Sequence, residues 1–195
     1  FQDARGVATE ISGEESGTLA HARAVVGWHQ RHGFCPNCGE ATRSTKGGKE
    51  RICDACGAHQ FPRTDPVAIM AVTDGERCLL GQTRARRTSR FYSALAGFID
   101  QGESIEEAVR REVWEEGGIR VGDVRYHSSQ PWPFPSSLMI GCIAQATSTD
   151  IRIDPGEMSD VRWVPREEVL RALEIASAPN YSLTADPGGE GVRVP

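Results

Sequence analysis

Three glutamates, Glu112, Glu115 and Glu116, stand at the spacing i, i+3 and i+4. In a helix this spacing puts the three carboxylates on one face, where like charges repel each other unless a cation lies among them. Carboxylate oxygens are hard ligands that select Mg²⁺ or Mn²⁺, and these ions typically bridge to substrate phosphates. The pattern predicts a divalent-cation site that acts on phosphates, and a solvated acidic helix face is the alternative.

The charge balance of the chain points to the same region. The 195 residues contain 22 Lys and Arg against 27 Asp and Glu, a formal net charge of −5. Between Gly97 and Ile119 seven acids stand against two bases, so this window of 23 residues has a net charge of −5 by itself. The total argues against a nucleic-acid clamp that covers the whole surface. Because the net negative charge is confined to one window, it instead indicates a metal site, whose bound cations are not included in the charge of the sequence.

A second cluster is built from cysteines. Cys35 and Cys38 form one C-x2-C pair, Cys53 and Cys56 form another, and a glycine follows each pair. Two such turns supply the four sulfurs of a structural Zn²⁺ site, with no position left for water or substrate. A pair of disulfides or a C-x-x-C redox motif are the alternatives, but Gly47-Gly48 and charged residues link the pairs where a redox motif needs a βαβ unit.

The elements that must position these residues follow from hydrophobic periodicity. It predicts a helix before the cysteines, then strands, a helix over the acidic window, three further strands and a last helix. Residues 1–17 and 178–195 are predicted as loops, and no stretch approaches the roughly 18 apolar residues of a membrane span. The predicted helices are 18–32, 104–116 and 166–175, and the predicted strands are 67–73, 77–83, 91–97, 121–129, 137–146 and 160–164.

The acidic window resembles the Nudix box, G-x5-E-x7-R-E-U-x-E-E-x-G-U. Every fixed position is matched, by Gly97, Glu103, Arg111-Glu112-Val113, Glu115-Glu116 and Gly118-Ile119. The resemblance implies a Nudix hydrolase, an α/β fold in which an α/β/α sandwich contains a mixed sheet, and cleavage of a nucleoside diphosphate linked to another moiety. It also implies that the three glutamates are catalytic residues that bind Mg²⁺ or Mn²⁺, and that Glu116 or a neighbour assists the attacking water. Glu103 is expected to pair with Arg111 and hold the preceding loop in place.

A proline-rich segment, SQPWPFPSS at 129–137, narrows the family. Its alternating prolines predict a stiff, extended loop that cannot be a regular strand, and a rigid structural corner is the alternative reading. The segment resembles the SQPWPFPxS motif of the NADH pyrophosphatase (NudC-like) branch, which also has a zinc ribbon ahead of the Nudix domain. The resemblance implies hydrolysis of the diphosphate of NADH or NAD⁺ to NMN(H) and AMP, and removal of NAD caps from RNA 5′ ends as a further activity.

The same resemblance assigns binding residues by position. It implies that Phe98 stacks on a base, that Phe61 contacts substrate across a homodimer, and that the Ala96 carbonyl and Glu157 are further ligands of the catalytic cations. The nicotinamide side of the pocket is assigned to the proline-rich loop, that is, to Gln130, Pro131, Trp132, Pro133, Phe134, Pro135, Ser136 and Ser137.

We expect three parts in the chain: the end of a truncated N-terminal domain with a linking helix (1–32), a zinc ribbon (33–62) and a Nudix domain truncated at its C-terminus (63–195). Two other functions stay open. One is hydrolysis of ADP-ribose or another nucleoside diphosphate derivative, against which the proline-aromatic motif speaks. The other is a zinc-ribbon RNA-binding module with an inactive Nudix domain, against which the intact glutamates speak. Reduced thiols with zinc predict an intracellular compartment, and the resemblance makes it cytoplasmic or peroxisomal.

Overall fold

The computed structural model describes residues 4–7, 11–86 and 91–177, so the loop predicted at 178–195 lies outside it. The chain forms two compact units. Unit 1 comprises Phe1–Pro66 with Gln130–Met139, and unit 2 comprises Val67–Ser129 with Ile140–Pro195. Within the described ranges, no helix combines the length and the hydropathy that crossing a membrane requires.

Unit 1 begins with two helices, α1 (Ala4–Val7) and α2 (Gly13–Arg31). The prediction of a loop over residues 1–17 is therefore wrong for 4–7 and for 13–17. A reciprocal cap starts α2, because the Ser12 hydroxyl accepts from the Glu15 amide while the Glu15 carboxylate accepts from the Ser12 amide. Such a cap satisfies the free amides of the first turn with polar side chains, and so it leaves no apolar period in the sequence.

The zinc-ribbon segment of unit 1 is a three-stranded antiparallel sheet in the order β1 (Thr42–Thr45), β2 (Glu50–Cys53) and β3 (His59–Gln60). A turn at Lys46–Gly48 joins the first two strands, and Gly47 adopts a φ of +66° there. This backbone conformation is one that glycine takes at little cost. The short strands bring the two cysteine pairs to one end of the sheet.

A six-stranded sheet organises unit 2, with β7, β8, β4, β5 and β9 in this order and β6 paired to β4. Strand β4 is antiparallel to β5 and to β6, and β5 is antiparallel to β9. The strands are β4 (Asp65–Thr73), β5 (Arg77–Thr83), β6 (Leu95–Phe98), β7 (Val121–Trp132), β8 (Ser137–Ala146) and β9 (Met158–Pro165).

Two helices cover opposite faces of this sheet, α3 (Ile105–Gly117) and α4 (Arg166–Ala176). Side chains alternate across a strand, and β5 shows the result. Leu79 belongs to the apolar cluster that contains Val109 of α3, whereas Leu80 belongs to the cluster that contains Ala172 of α4. The predicted α/β/α sandwich is confirmed.

Two strand boundaries differ from the prediction. Strand β6 begins at Leu95 instead of Phe91, and Ser93 forms only an isolated bridge to Gly81. Strand β7 runs on through Gln130 and Pro131 to Trp132, so the prediction that the whole proline-rich segment avoids a regular strand is wrong for these residues. Because β7 is the terminal strand of the sheet, it tolerates a proline that donates no ladder hydrogen bond.

Candidate active site and zinc site

Helix α3 carries the three predicted glutamates, and caps determine both of its ends. Ser104 accepts from the amide of Glu107, whose carboxylate accepts from the Ser104 amide, as in the α2 cap. At the other end Gly118 takes a left-handed conformation with a φ of +68° and donates to the Trp114 carbonyl. These caps thus determine where α3 begins and ends, and with that the directions in which its glutamate side chains project.

The glutamates differ sharply in exposure. The side chain of Glu115 is 53% exposed and that of Glu112 is 12% exposed, while Glu116 is buried at 8%. The Glu112 carboxyl group lies directly over Gly97 of β6, since a Cβ atom added to Gly97 would stand 1.8 Å from its Cδ atom. The glycine of the box is therefore required by the space that Glu112 occupies.

Arg111 connects the loop before α3 to the glutamates. Its Nε and Nη2 atoms donate to the two carboxylate oxygens of Glu103 at 2.6 and 2.8 Å, which confirms the predicted pair. Its Nη1 atom donates to Glu112 at 2.7 Å and to Glu115 at 3.2 Å, and Nη2 also donates to the Phe98 carbonyl at 2.9 Å. These hydrogen bonds raise the pKa of Arg111, and its donation lowers the pKa of Glu103 to about 2. The guanidinium group of Arg111 thus orients the three carboxylates to which it donates.

Glu116 is the most perturbed of the acids. Burial, and then the negative charges of Glu112 and Glu157, raise the pKa of Glu116 to about 7, against a lowering by the Ala96 amide. Its Oε2 atom is buried and has no hydrogen-bond partner among the described residues. A buried carboxylate oxygen without a donor is costly, and a bound cation removes that cost. This donor set fits Mg²⁺ or Mn²⁺, which take oxygen ligands.

Unit 2 also brings two other predicted residues to this cluster. The charge of Glu157 contributes to the raised pKa of Glu112, after burial and Glu115, as well as to that of Glu116. Ala96 lies on β6, opposite Ile69 of β4, and its amide acts on Glu116. Phe98 follows at the end of β6 with 57% of its surface exposed, as a base-stacking residue requires.

The proline-rich loop belongs to unit 1. Trp132 and Phe134 meet edge to face with their ring centroids 5.3 Å apart. Ser136 and Ser137 are buried, and the Ser136 carbonyl accepts from the Asp65 amide at 2.9 Å. The loop and α2 are two walls of a cavity of about 600 Å³, whose other walls are the segments 47–49 and 62–64.

Phe61, the residue assigned to a contact across a dimer, also lies in unit 1. It is 61% exposed, and its ring stacks on His59 at a centroid distance of 6.4 Å. His59 in turn bonds to the buried carboxylate of Glu50, which also pairs with Lys46. The aromatic side chain is thus presented outward on an anchored support.

The four cysteines converge as predicted. Their Sγ atoms all lie within 4.8 Å of one another, and the Cys35–Cys56 and Cys38–Cys53 pairs are each 3.6 Å apart. Four sulfurs in tetrahedral contact with Zn²⁺ at about 2.3 Å stand about 3.8 Å apart, so the spacing fits zinc and is far too long for disulfides. The Asn37 amide is the main cause that lowers the pKa of Cys35 to about 7. Nearby backbone amides also lower the pKa of Cys38 and that of Cys56, but neighbouring sulfurs and burial outweigh them and raise both.

Two arginines that were not among the predicted site residues contact the proline-rich loop. Arg5 of α1 and Arg23 of α2 both place their guanidinium groups over the Phe134 ring. Nothing in the sequence signals these contacts, because the partners are more than a hundred residues apart and neither arginine belongs to a motif.

Known proteins match this chain in sequence and in fold. The family model described as NUDIX domain matches residues 62–186, and the one described as NADH pyrophosphatase zinc ribbon domain matches residues 30–61. The chain belongs to the Nudix family. A crystal structure of a Nudix hydrolase from Nitrosomonas europaea covers 69% of this chain and 78% of its own length with a TM-score of 0.60, and at 21% identity it supports the fold alone.

Curated relatives carry more specific names. The chain is 51% identical over 174 residues to the NAD-capped RNA hydrolase NUDT12 of Macaca fascicularis, covering 84% of this chain and 37% of that protein. It is 41% identical over 180 residues to the human mitochondrial NAD(P)H pyrophosphatase NUDT13, covering 89% of this chain and 50% of the relative. The chain thus spans half or less of the length of these two relatives.

Proposed function

We propose that this chain hydrolyses the diphosphate bond of NADH or NAD⁺, with Mg²⁺ or Mn²⁺, to give NMN(H) and AMP. The observation that carries the proposal is the Oε2 atom of Glu116, which is buried and has no hydrogen-bond partner among the described residues, while the negative charges of Glu112 and Glu157 act on the same carboxyl group. Negative charges that act on one another in this way cost stability unless cations offset them, and carboxylate oxygens select cations that bridge to phosphates.

The residues have distinct roles in this reaction. Glu112, Glu115, Glu116, Glu157 and the Ala96 carbonyl would hold the divalent cations. When bound, these cations would supply positive charge against the diphosphate and a coordinated water of lowered pKa. Arg111 keeps two of the carboxylates in place through its hydrogen bonds, and Glu116 or a neighbouring carboxylate accepts a proton from the attacking water.

The substrate assignment depends on the proline-rich loop and on the names of the relatives. Gln130–Ser137 would line the nicotinamide side, Phe98 would stack on a base, and Phe61 would reach the substrate of a partner subunit in a homodimer. Stacking on an exposed aromatic ring contributes roughly 1–3 kcal/mol per base. Size-exclusion chromatography with light scattering tests the dimer, since a monomer at assay concentration would contradict the role of Phe61.

Release of AMP tests the activity directly. Purified protein with NADH and Mn²⁺ or Mg²⁺ should yield AMP and NMNH in equal amounts by chromatography, and chelation of the cation should stop the reaction. Glu116→Gln should abolish turnover without changing the zinc content. Glu106→Gln changes an exposed glutamate on the same helix and should retain turnover. Turnover by Glu116→Gln would remove Glu116 from the mechanism, and no AMP from the wild-type chain would refute the proposal.

Removal of NAD caps from RNA is the second candidate, favoured by the name of the relative with 51% identity. The ratio of kcat/KM for NAD-capped RNA to that for NADH decides which substrate the site prefers. The division into an N-terminal segment, a zinc ribbon and a Nudix domain remains part of this proposal, as does an intracellular location. Relatives named mitochondrial and chloroplastic add two compartments to the cytoplasmic and peroxisomal ones expected from the sequence.

A further inference from the structure

Two arginines from outside both matched family models contact the proline-rich loop. The models begin at residue 30, whereas Arg5 lies on α1 and Arg23 on α2. The Arg5 guanidinium is 4.6 Å from the centroid of the Phe134 ring, and the Arg23 guanidinium is 4.9 Å from it. Both lie within the distance at which a cation is attracted to an aromatic ring. Arg5 also lies over the Trp132 ring, at 5.5 Å.

Arg23 makes a further, directional contact with the loop. Its Nε atom donates to the carbonyl oxygen of Pro133 at 3.0 Å. Residues 133–136 lie between the end of β7 and the start of β8, and Pro133 and Pro135 have no amide to donate, so this part of the loop is outside the strand ladder. Within the loop the Phe134 amide donates to the Trp132 carbonyl at 2.8 Å, which shapes the turn without tying it to anything else. The bond from Arg23 is therefore an external anchor at the middle of the loop.

Arg5 and Arg23 differ in their ion pairs from other exposed arginines of unit 1. In the part of the chain that the structure describes, none of the ion pairs includes Arg5 or Arg23, although exposed arginines such as Arg43 and Arg63 of the same unit do have carboxylate partners. Among the described residues, their guanidinium groups contact the rings of Trp132 and Phe134 and the Pro133 carbonyl. A carboxylate nearby would compete with these contacts.

We propose that Arg23, with Arg5 beside it, is a positioning residue that sets the orientation of Phe134 and of the loop, and so determines the affinity for the nicotinamide end of the substrate. This inference rests on the proposed function, which assigns the loop to that end. Without the anchor the loop populates other arrangements, and substrate must reorder it on binding. The apparent affinity then decreases in proportion to the fraction of molecules whose loop has the binding arrangement, while the rate of the chemical step is unchanged.

Kinetics of two substitutions at Arg23 test the inference. Arg23→Met removes the donor and the charge at similar length, and should raise KM for NADH roughly tenfold, the usual effect of losing a charged hydrogen bond, with kcat within about twofold. Arg23→Lys retains a cation that can reach the ring and the carbonyl, and should restore most of the affinity. ADP-ribose has no nicotinamide, so its KM or inhibition constant should not change. Arg43→Met, an exposed arginine paired with Asp54, is the matched control and should match wild type.

A thermodynamic cycle shows whether Arg23 acts through the ring. In a Phe134→Leu background, Arg23→Met should raise KM by clearly less than it does in the wild-type chain. An equal increase in both backgrounds, an equal loss for NADH and ADP-ribose, or an unchanged KM in folded Arg23→Met would each overturn the inference.

Hydrogen exchange provides a measurement that does not depend on activity. Arg23→Met should speed exchange at the Trp132 and Phe134 amides severalfold, whereas Arg43→Met should not. If the wild-type chain releases no AMP from NADH, the proposed function fails, and the exchange rates alone still decide whether Arg23 holds the loop. Unchanged exchange at these amides would overturn the anchor itself.

Discussion

Replacing Gly97 with alanine tests whether the position of the Glu112 carboxylate controls the reaction. The new Cβ atom would lie 1.8 Å from Cδ of Glu112, whereas ordinary contact begins at 3.4 Å. Because Gly97 is held in register against Ala68 of β4, the carboxyl group must move instead, by about 1.6 Å from the difference of these distances. Misplacement by about 1 Å can cost roughly 10²-fold in rate, so we expect kcat to fall at least about 10²-fold, or roughly 3 kcal/mol in activation free energy.

The fold should tolerate this substitution, since only the end of a flexible side chain has to move. We expect a normal zinc content and a Tm within a few degrees of wild type, with weaker Mn²⁺ binding measured by electron paramagnetic resonance in the absence of substrate. Gly122→Ala is a control on the same unit. Its Cβ atom would meet the Thr147 methyl group at 3.0 Å, which requires a shift of only a few tenths of an ångström. Its kcat should stay within about twofold of wild type, because its neighbours are not part of the site.

Two results would refute this reasoning. One is a folded Gly97→Ala protein with wild-type kcat, which would mean that the position of the carboxylate does not matter. The other comes from the double variant with Glu112→Gln. If Gly97→Ala lowers the rate by the same factor with or without the Glu112 carboxylate, the effect does not act through Glu112.

Three further predictions concern stability. Glu103→Gln should lower Tm at neutral pH, because the Glu103 carboxylate stabilises the fold while it is ionised. Arg111 lowers the pKa of Glu103 to about 2, so the difference in Tm from wild type should shrink as pH falls from about 4.5 through 2, as measured by thermal melts. Cys53→Ser, at a fully buried ligand, should release zinc in a colorimetric assay and lower Tm, and retention of one zinc per chain would exclude it as a ligand. Gly118→Ala should cost about 1–3 kcal/mol in urea unfolding, since its φ is +68° and its Cβ atom would meet the Arg152 backbone at 3.0 Å. Gly102→Ala, with an equally unusual φ of +96° but open space, should cost less.

The parts of the site that sequence reasoning predicted are local in the chain. Glu103 and Arg111 are eight residues apart, and helical spacing alone places the side chains of Glu112 and Glu116 on one face. The zinc cluster likewise consists of two short turns. Glu157 is different, because it approaches the glutamates only through the packing of the sheet. Its place was inferred from resemblance alone, and no periodicity would have indicated it.

The errors have physical causes of the same kind. The start of α2 depends on a hydrogen-bonded cap at Ser12, which uses polar side chains and leaves no hydrophobic pattern. The extension of β7 through Pro131 depends on its being a terminal strand, a property of the assembled sheet. The contacts of Arg23 with Pro133 and Phe134 join segments 110 residues apart, and no local propensity encodes them.

The two-part composition of unit 1 has a consequence for synthesis on the ribosome. Its second stretch, Gln130–Met139, is translated only after the 63 residues from 67 to 129. At about 5–20 residues per second this interval lasts roughly 3–13 s. The cysteine knuckles need only residues 35–56 and can capture zinc at once, whereas Arg23 has no Pro133 carbonyl to bind until the interval has passed. A nascent chain arrested before residue 130 therefore contains the complete zinc ribbon, but it lacks the second stretch of unit 1. Unit 1 can be completed only after most strands of the six-stranded sheet have been translated.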